Sequence, residues 1–144
     1  MEFVVDTCII NKLIEGKISL IALPQNCSFF ASHIQIDELN KTPDAERRAQ
    51  LFLKFAEISP KIIPTESFIW DVSRWDQAKW NDGQLYNNLK QSLDALNKSK
   101  PSNANDALIA ETAIVNNYTL LTSDKDLTKV AKNLGCNVVY FETK

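Results

Sequence analysis

The segment NDALIAETAIVNNYTLLTSDKDL, residues 105–127, is the most informative part of the chain for predicting its fold. Its first half is apolar nearly all round, which predicts a deeply buried helix. Thr119-Leu120-Leu121-Thr122 is a short β-prone run bounded by polar residues, which predicts a buried strand. Apolar residues return at helical spacing from Leu127 onward. Helix, strand and helix therefore follow one another here as they do in α/β proteins.

Short apolar runs and helix-like spacing alternate along the rest of the chain as well. Because parallel strands need long crossover connections, this order predicts a mainly parallel sheet covered on both faces. We predict a three-layer α/β/α fold, with residues 1–144 forming a single domain around a five-stranded sheet. One helix is expected to open at Thr42-Pro43, with the proline as its first residue. The other four predicted strands are Phe3–Val5, Cys27–Ser32, Lys61–Pro64 and Asn137–Phe141.

Residues 65–100 predict a helical hairpin inserted before the fourth strand. One apolar stripe at helical spacing precedes the turn signal Asp82-Gly83, and a second stripe follows it. The three tryptophans lie on or near the first arm, and we expect them to pack in the core because of their large apolar surface. They are Trp70, Trp75 and Trp80.

The composition excludes several kinds of catalytic site. There is one histidine, His33, and there are three glycines, so the chain has no P-loop, GxGxxG, GxSxG or HExxH motif. Cys8, Cys27 and Cys136 form no CxxC pair and are expected to be small buried side chains in a reducing cytoplasm. No apolar run approaches the ~20 residues that cross a bilayer, so we expect no membrane association. Catalysis must rest on carboxylates, hydroxyls, amides, lysine or arginine.

Four acidic residues stand where an apolar segment ends or a helix begins: Asp6, Glu38, Asp106 and Asp124. In open α/β sheets, functional groups collect at the carboxyl ends of the strands. Four carboxylates gathered there repel one another unless cations compensate their charge. Mg²⁺ or Mn²⁺ prefers such oxygen ligands, and a pair of these ions can promote phosphodiester hydrolysis without a protein nucleophile.

Each acid also has a simpler interpretation when it is taken alone. Asp6, Asp106 and Asp124 could each be the N-cap of the helix that follows. Glu38 could be a solvated helix residue, and its neighbour Asp37 competes with it as the second acid of the site. Helix capping does not explain why all four acids fall on one predicted edge of the sheet.

Four blocks of the chain resemble, in order and spacing, the successive motifs of PIN-domain ribonucleases, which include the VapC-type toxins of toxin–antitoxin pairs. The resemblance spans nearly the whole chain, and the third and fourth blocks are its most specific parts. The second block is looser, and Glu38 is preferred there because it directly precedes a leucine. The blocks are Val4–Thr7, Glu38-Leu39, Asn105–Ala110 and Leu120–Leu127.

The resemblance implies a PIN-like fold and a Mg²⁺- or Mn²⁺-dependent endoribonuclease. It would cleave single-stranded or structured RNA by two-metal-ion hydrolysis and leave a 5′-phosphate. A cytoplasmic homodimer and an antitoxin partner are also implied. Three carboxylates would hold the metal and a fourth would complete the catalytic set, in the order Asp6, Asp106, Asp124 and Glu38. The supporting residues would be Thr7, Thr122 and Asp126.

Other functions remain open from the sequence. The same acids could cleave DNA, or the domain could be a non-catalytic interaction module. A receiver-like phosphoacceptor domain would need an acidic pair after the first strand, where Asp6 stands alone. The net charge of −2 does not by itself indicate nucleic-acid binding. One tryptophan could stack on a base, but the nucleic-acid-binding residues are not assigned. The scattered candidates are Lys12, Lys41, Arg47, Arg48, Lys98, Lys100, Lys125 and Lys129.

Overall fold

The strands form one sheet in which every pairing is parallel. The computed structural model describes residues 1–58, 60–64 and 84–142. The five strands lie in the order β3-β2-β1-β4-β5, which confirms the predicted five-stranded parallel sheet. They are β1 (Glu2–Val5), β2 (Ser28–Ala31), β3 (Lys61–Ile62), β4 (Thr119–Thr122) and β5 (Val138–Tyr140).

Helices cover both faces of this sheet. Those of the described residues are α1 (Thr7–Ile14), α2 (His33–Asn40), α3 (Ala45–Ile58), α4 (Gln84–Asn97), α5 (Asn103–Val115) and α6 (Lys125–Asn133), with a 3-10 helix at Leu20–Ala22. α1 and α3 pack against each other on one face, and α4, α5 and α6 pack together on the other. Phe3 and Val5 face the first group whereas Val4 faces the second, as the alternation of a strand requires. These are the three predicted layers.

Successive strands are added on one side of β1 and then, from β4 onward, on its other side, and we call the position between β1 and β4 the reversal point of the sheet. β2 and β3 lie on one side of β1, and β4 and β5 lie on the other. Val5 pairs with Leu121 in the parallel register, so Asp6 and Thr122, the next residues, lie side by side at the carboxyl ends. A crevice outside such a reversal is where open α/β sheets bind ligands.

The structure corrects two predicted boundaries. The helix expected to open at Pro43 begins at Ala45, because the Asp44 carboxylate accepts a hydrogen bond from the backbone N–H of Glu46 at 3.0 Å and so occupies the position before the helix. The second strand ends at Ala31 rather than Ser32, because Ser32 caps α2 in a capping box.

The predicted hairpin is only partly described. Its second arm is α4, which buries Tyr86, Leu89 and Leu93 against α5 and α6. Its first arm and the three tryptophans lie outside the described residues. None of the helices in the described part of the chain combines the length and apolarity needed to span a bilayer.

Candidate active site

The structure brings the four predicted acids to the reversal point between β1 and β4. Asp6 directly follows β1, and Asp124 follows β4 after one residue. Glu38 lies in α2, and Asp106 lies in the first turn of α5. The pKa of Asp106 is raised to about 8, first by burial and then by the charges of Asp6, Asp124 and Glu38. The other three acids are therefore all within electrostatic range of Asp106.

Asp6 is held by side chains rather than used as a helix cap. It occupies the N-cap position of α1, but its side chain forms no capping hydrogen bond. Instead, the Thr122 hydroxyl donates to Asp6 Oδ2 at 2.7 Å, and the Cys8 thiol donates to the same oxygen at 3.2 Å. The side chain is 4% exposed, and burial raises its pKa despite the bonds from Thr122 and Cys8. The capping interpretation does not account for Asp6.

Glu38 lies beside Asp6 on the α2 side of the site. The Thr7 hydroxyl donates to Glu38 Oε1 at 2.9 Å, and the side chain of Asn105 also forms a hydrogen bond to Glu38. Burial, followed by the charge of Asp6, raises the pKa of Glu38 to about 7. These contacts favour Glu38 over Asp37 as the second acid.

Asp106 is a residue of helix α5 itself. The helix begins at Asn103 after the N-cap Ser102, and the backbone N–H of Asp106 donates to the Ser102 carbonyl at 3.0 Å. Asp106 is therefore a first-turn residue and not the cap. Its side chain is 8% exposed, so its carboxylate has lost most of its water.

Asp124 does cap a helix. Its Oδ1 accepts a hydrogen bond from the backbone N–H of Leu127 at 3.1 Å, and its own N–H donates to the Thr122 hydroxyl at 3.1 Å. One oxygen of this half-buried carboxylate is thus engaged at the start of α6. Asp126 lies in the first turn of the same helix.

The donor set suits a hard divalent cation. The buried Asp6 and Asp106 and the half-buried Glu38 have raised pKa values, partly because like charges face one another, and a cation would remove that repulsion. Among the described residues, however, no three His, Cys, Asp or Glu side chains are arranged so that they could hold a metal ion as they stand. The two observations are compatible because charge repulsion acts over longer distances than coordination. The carboxylates share a site but do not close around one point.

Cys8 lies in the site although the sequence did not predict it there, and two of the scattered RNA-binding candidates, Lys41 and Lys100, lie near the site. Cys8 was expected to be a small buried side chain, but the first turn of α1 carries its half-buried thiol among polar atoms; its pKa is raised by burial and by the charge of Asp6. Cys136 is buried against the apolar core, as expected. Lys41 and Lys100 are exposed and lie within electrostatic range of Glu38 and Asp106, respectively. The tertiary fold brings the two lysines near the site, and no local sequence pattern predicts this proximity.

A comparison with protein families finds one matching description, the PIN domain, over residues 76–133. The matched segment contains Asp106 and Asp124 but neither Asp6 nor Glu38. No curated protein matches the chain. The family match therefore covers the third and fourth blocks of the sequence pattern and not the first two.

Solved structures of similar fold extend the comparison to the whole chain. VapBC2 from Rickettsia felis matches with a TM-score of 0.61 and 19% identity over 99% of this chain and 100% of that one. VapBC-5 from Mycobacterium tuberculosis gives 0.55 and 17% over 98% of each chain. VapBC-1 from nontypeable Haemophilus influenzae gives 0.53 and 18% over 97% of this chain and 98% of that one.

The chain is similar to PIN-domain proteins in its fold and, over residues 76–133, in its family match, which confirms the resemblance expected from the sequence. Within that class its fold is similar to the structures of VapBC toxin–antitoxin systems.

Proposed function

We propose that this protein is a Mg²⁺- or Mn²⁺-dependent endoribonuclease and the toxin of a toxin–antitoxin pair. The observation that carries the proposal is the gathering of Asp6, Glu38, Asp106 and Asp124 at one edge of the sheet. Burial and neighbouring like charges raise the pKa values of the first three. Structural ion-pair networks also shift pKa values, but here Lys41 and Lys100 lower the pKa values of Glu38 and Asp106 less than the charge of Asp6 raises them.

In this proposal Asp6, Asp106 and Asp124 would hold the metal. When bound, Mg²⁺ or Mn²⁺ supplies Lewis-acid polarisation of the phosphodiester and compensates the carboxylate charge. Thr122 orients Asp6 through the 2.7 Å bond to Oδ2. This hydrogen bond would orient one proposed ligand before any cation enters, and a precise hydrolytic site requires such support.

Glu38 would act on the proton of the attacking water. Thr7 binds Oε1 of Glu38, which orients the carboxylate from one side. A pKa near neutrality lets a carboxylate accept and release a proton at the working pH. Asp126 remains an auxiliary acid in the proposal, since it lies in the first turn of α6 beside Asp124.

RNA rather than DNA, a cytoplasmic location, a homodimer and an antitoxin partner rest on the family resemblance and on the VapBC systems of similar fold. The alternative functions are cleavage of DNA by the same acids and a non-catalytic interaction module. The gathering of four acids, two buried and two half-buried, argues against the second, because an interaction module gains nothing from their repulsion.

The test is cleavage of a mixed pool of single-stranded RNA, with matched DNA in parallel, in Mn²⁺, Mg²⁺ or EDTA. We expect EDTA-sensitive RNA cleavage that is lost in Asp6→Asn and Glu38→Gln. The matched control is Glu57→Gln, an exposed acid near the end of α3 and therefore at the opposite edge of the sheet. Equal cleavage by wild type and Asp6→Asn would overturn the site, and cleavage of DNA alone would overturn the substrate.

A further inference from the structure

Cys8 connects the two strand ends that carry Asp6 and Asp124. Its thiol donates to Asp6 Oδ2 at 3.2 Å, and its sulfur accepts a hydrogen bond from the backbone N–H of Ser123 at 3.2 Å. The first contact belongs to the end of β1, and the second belongs to the loop after β4. The thiol therefore spans the reversal point of the sheet.

Thr122 makes the same connection by a second route. Its hydroxyl donates to Asp6 Oδ2 at 2.7 Å and accepts from the N–H of Asp124 at 3.1 Å. Because Ser123 and Asp124 are adjacent in the chain, the two routes close a ring of hydrogen bonds that starts and ends at Asp6 Oδ2. The direct contact of 3.4 Å between the Cys8 sulfur and the Thr122 hydroxyl lies inside this ring.

The protons in the ring can be counted. Thr122 has one hydroxyl proton and Cys8 has one thiol proton, and both are directed to Asp6 Oδ2. Two donors on one oxygen restrict the rotation of the Asp6 carboxyl group, whereas one donor leaves it a wider range. The N–H of Ser123 has the sulfur as its acceptor, so the ring also fixes the loop that leads to Asp124.

We propose that Cys8 is a positioning residue that sets the separation and orientation of Asp6 relative to Asp124 and thereby the site's affinity for its divalent cation. This rests on the proposed function, because it concerns the same carboxylates. Side chains that orient metal ligands typically change metal affinity by about 10- to 100-fold when they are removed. Thr122 remains in place as the second route, so the lower end of that range applies to Cys8.

Cys27 is a comparable thiol that lies outside this ring of hydrogen bonds and serves as a control. It is also half-buried and unpaired with another cysteine, and its sulfur donates to the backbone carbonyl of Pro24 at 3.2 Å. It packs beside the apolar core on the α1 and α3 face. The same substitution at Cys27 removes a thiol of similar exposure without touching the ring.

The experiment measures Mn²⁺ binding by calorimetry and RNA cleavage as a function of Mn²⁺ concentration. We expect Cys8→Ala to weaken Mn²⁺ binding about 10-fold and to raise the half-saturating Mn²⁺ concentration equally, with the KM for RNA unchanged. Cys8→Ser should restore most of the affinity, because a hydroxyl both donates and accepts. Cys8→Val, which fills the thiol's space without a donor, should behave as Cys8→Ala. Cys27→Ala should match wild type.

The outcomes separate this proposal from the proposed function. Wild-type affinity for Mn²⁺ in folded Cys8→Ala and Cys8→Val would overturn the positioning role while leaving the nuclease intact. Absence of Mn²⁺ binding and of cleavage in the wild type would overturn both. If Cys8→Ser binds Cd²⁺ much more weakly than the wild type does, while its Mn²⁺ affinity is unchanged, the sulfur is itself a ligand and not a positioning group.

Discussion

Replacing Asp106 by Asn should make the metal-free protein more stable at pH 8. The folded pKa of Asp106 is about 8, against 3.8 in the unfolded chain. Below pH 4 the group is protonated in both states and carries no charge penalty. Between pH 4 and pH 8 the unfolded state releases the proton while the folded state keeps it, so stability falls as the pH rises. Above pH 8 the full penalty is present. Asn has the same shape and no charge to bury.

The magnitude follows from the pKa difference. Each unit corresponds to about 1.4 kcal/mol, so the difference of about 4 units sets an upper bound of about 6 kcal/mol. Relaxation of the site and entry of water reduce the cost of burying a charge, and we expect a gain of about 2 kcal/mol at pH 8. The opposing loss is smaller, because a first-turn acid gains only about 0.5 kcal/mol from the helix dipole.

The assay is urea denaturation in EDTA between pH 5 and pH 8, with Glu57→Gln as the exposed control. The free-energy difference between Asp106→Asn and wild type should grow by about 2 kcal/mol over this range. Added Mn²⁺ should then stabilise the wild type and not the variant, because ligand binding to the folded state shifts the unfolding equilibrium. A difference that does not change with pH, or a variant that is less stable at pH 8, would refute the assigned repulsion.

Three further predictions concern the surroundings of the site. Lys41→Gln and Lys100→Gln should each raise the KM for RNA and lower the salt dependence of binding by about one charge; Lys132→Gln, in the last turn of α6, should do neither, and equal salt slopes in all three would exclude a phosphate contact. Thr122→Val should reduce cleavage about 10-fold or more and stability by about 1–2 kcal/mol, and undiminished cleavage would contradict its role. Asn103→Ala should lower the free energy of unfolding by about 2 kcal/mol, because the fully buried amide bonds to side chains of α4; a loss below about 0.5 kcal/mol would contradict this.

Much of the fold is predictable from the sequence because the three central strands, β2, β1 and β4, are short apolar runs that end at a polar residue. Phe3–Val5 and Leu120–Thr122 are buried on both faces, and that burial requires the apolar run the sequence displays. The order of the strands within the sheet cannot be predicted from these apolar runs. It depends on which strand edges pair after the helices have packed, and the short runs at β2 and β5 do not identify their neighbours.

The candidate site shows where local sequence stops being informative. Asp6 and Asp124 stand in the same local context, each between a strand and a helix, and helix capping was an open interpretation for both. Asp124 caps its helix and Asp6 does not. The difference is Thr122, which lies 116 residues from Asp6 in sequence yet donates to its carboxylate at 2.7 Å. A donor supplied by the neighbouring strand competes with the local backbone, and the neighbour is known only once the strands have paired.

The polar contacts of Cys8 are not predictable from the local sequence, for a related reason. A lone cysteine in a helix with Ile9 and Ile10 fits a buried apolar position, and nothing in its spacing indicates a polar contact. Its role depends on the first turn of α1, which directs the second helical residue back toward the strand ends. There the sulfur meets a carboxylate and a backbone N–H at once. A site of repelling carboxylates needs such bonds to remain ordered without a cation, because each removed donor leaves the charge less compensated and the carboxylate freer to turn away. Substitution of a residue that donates to these acids should therefore lower the affinity for the cation even where the fold is retained.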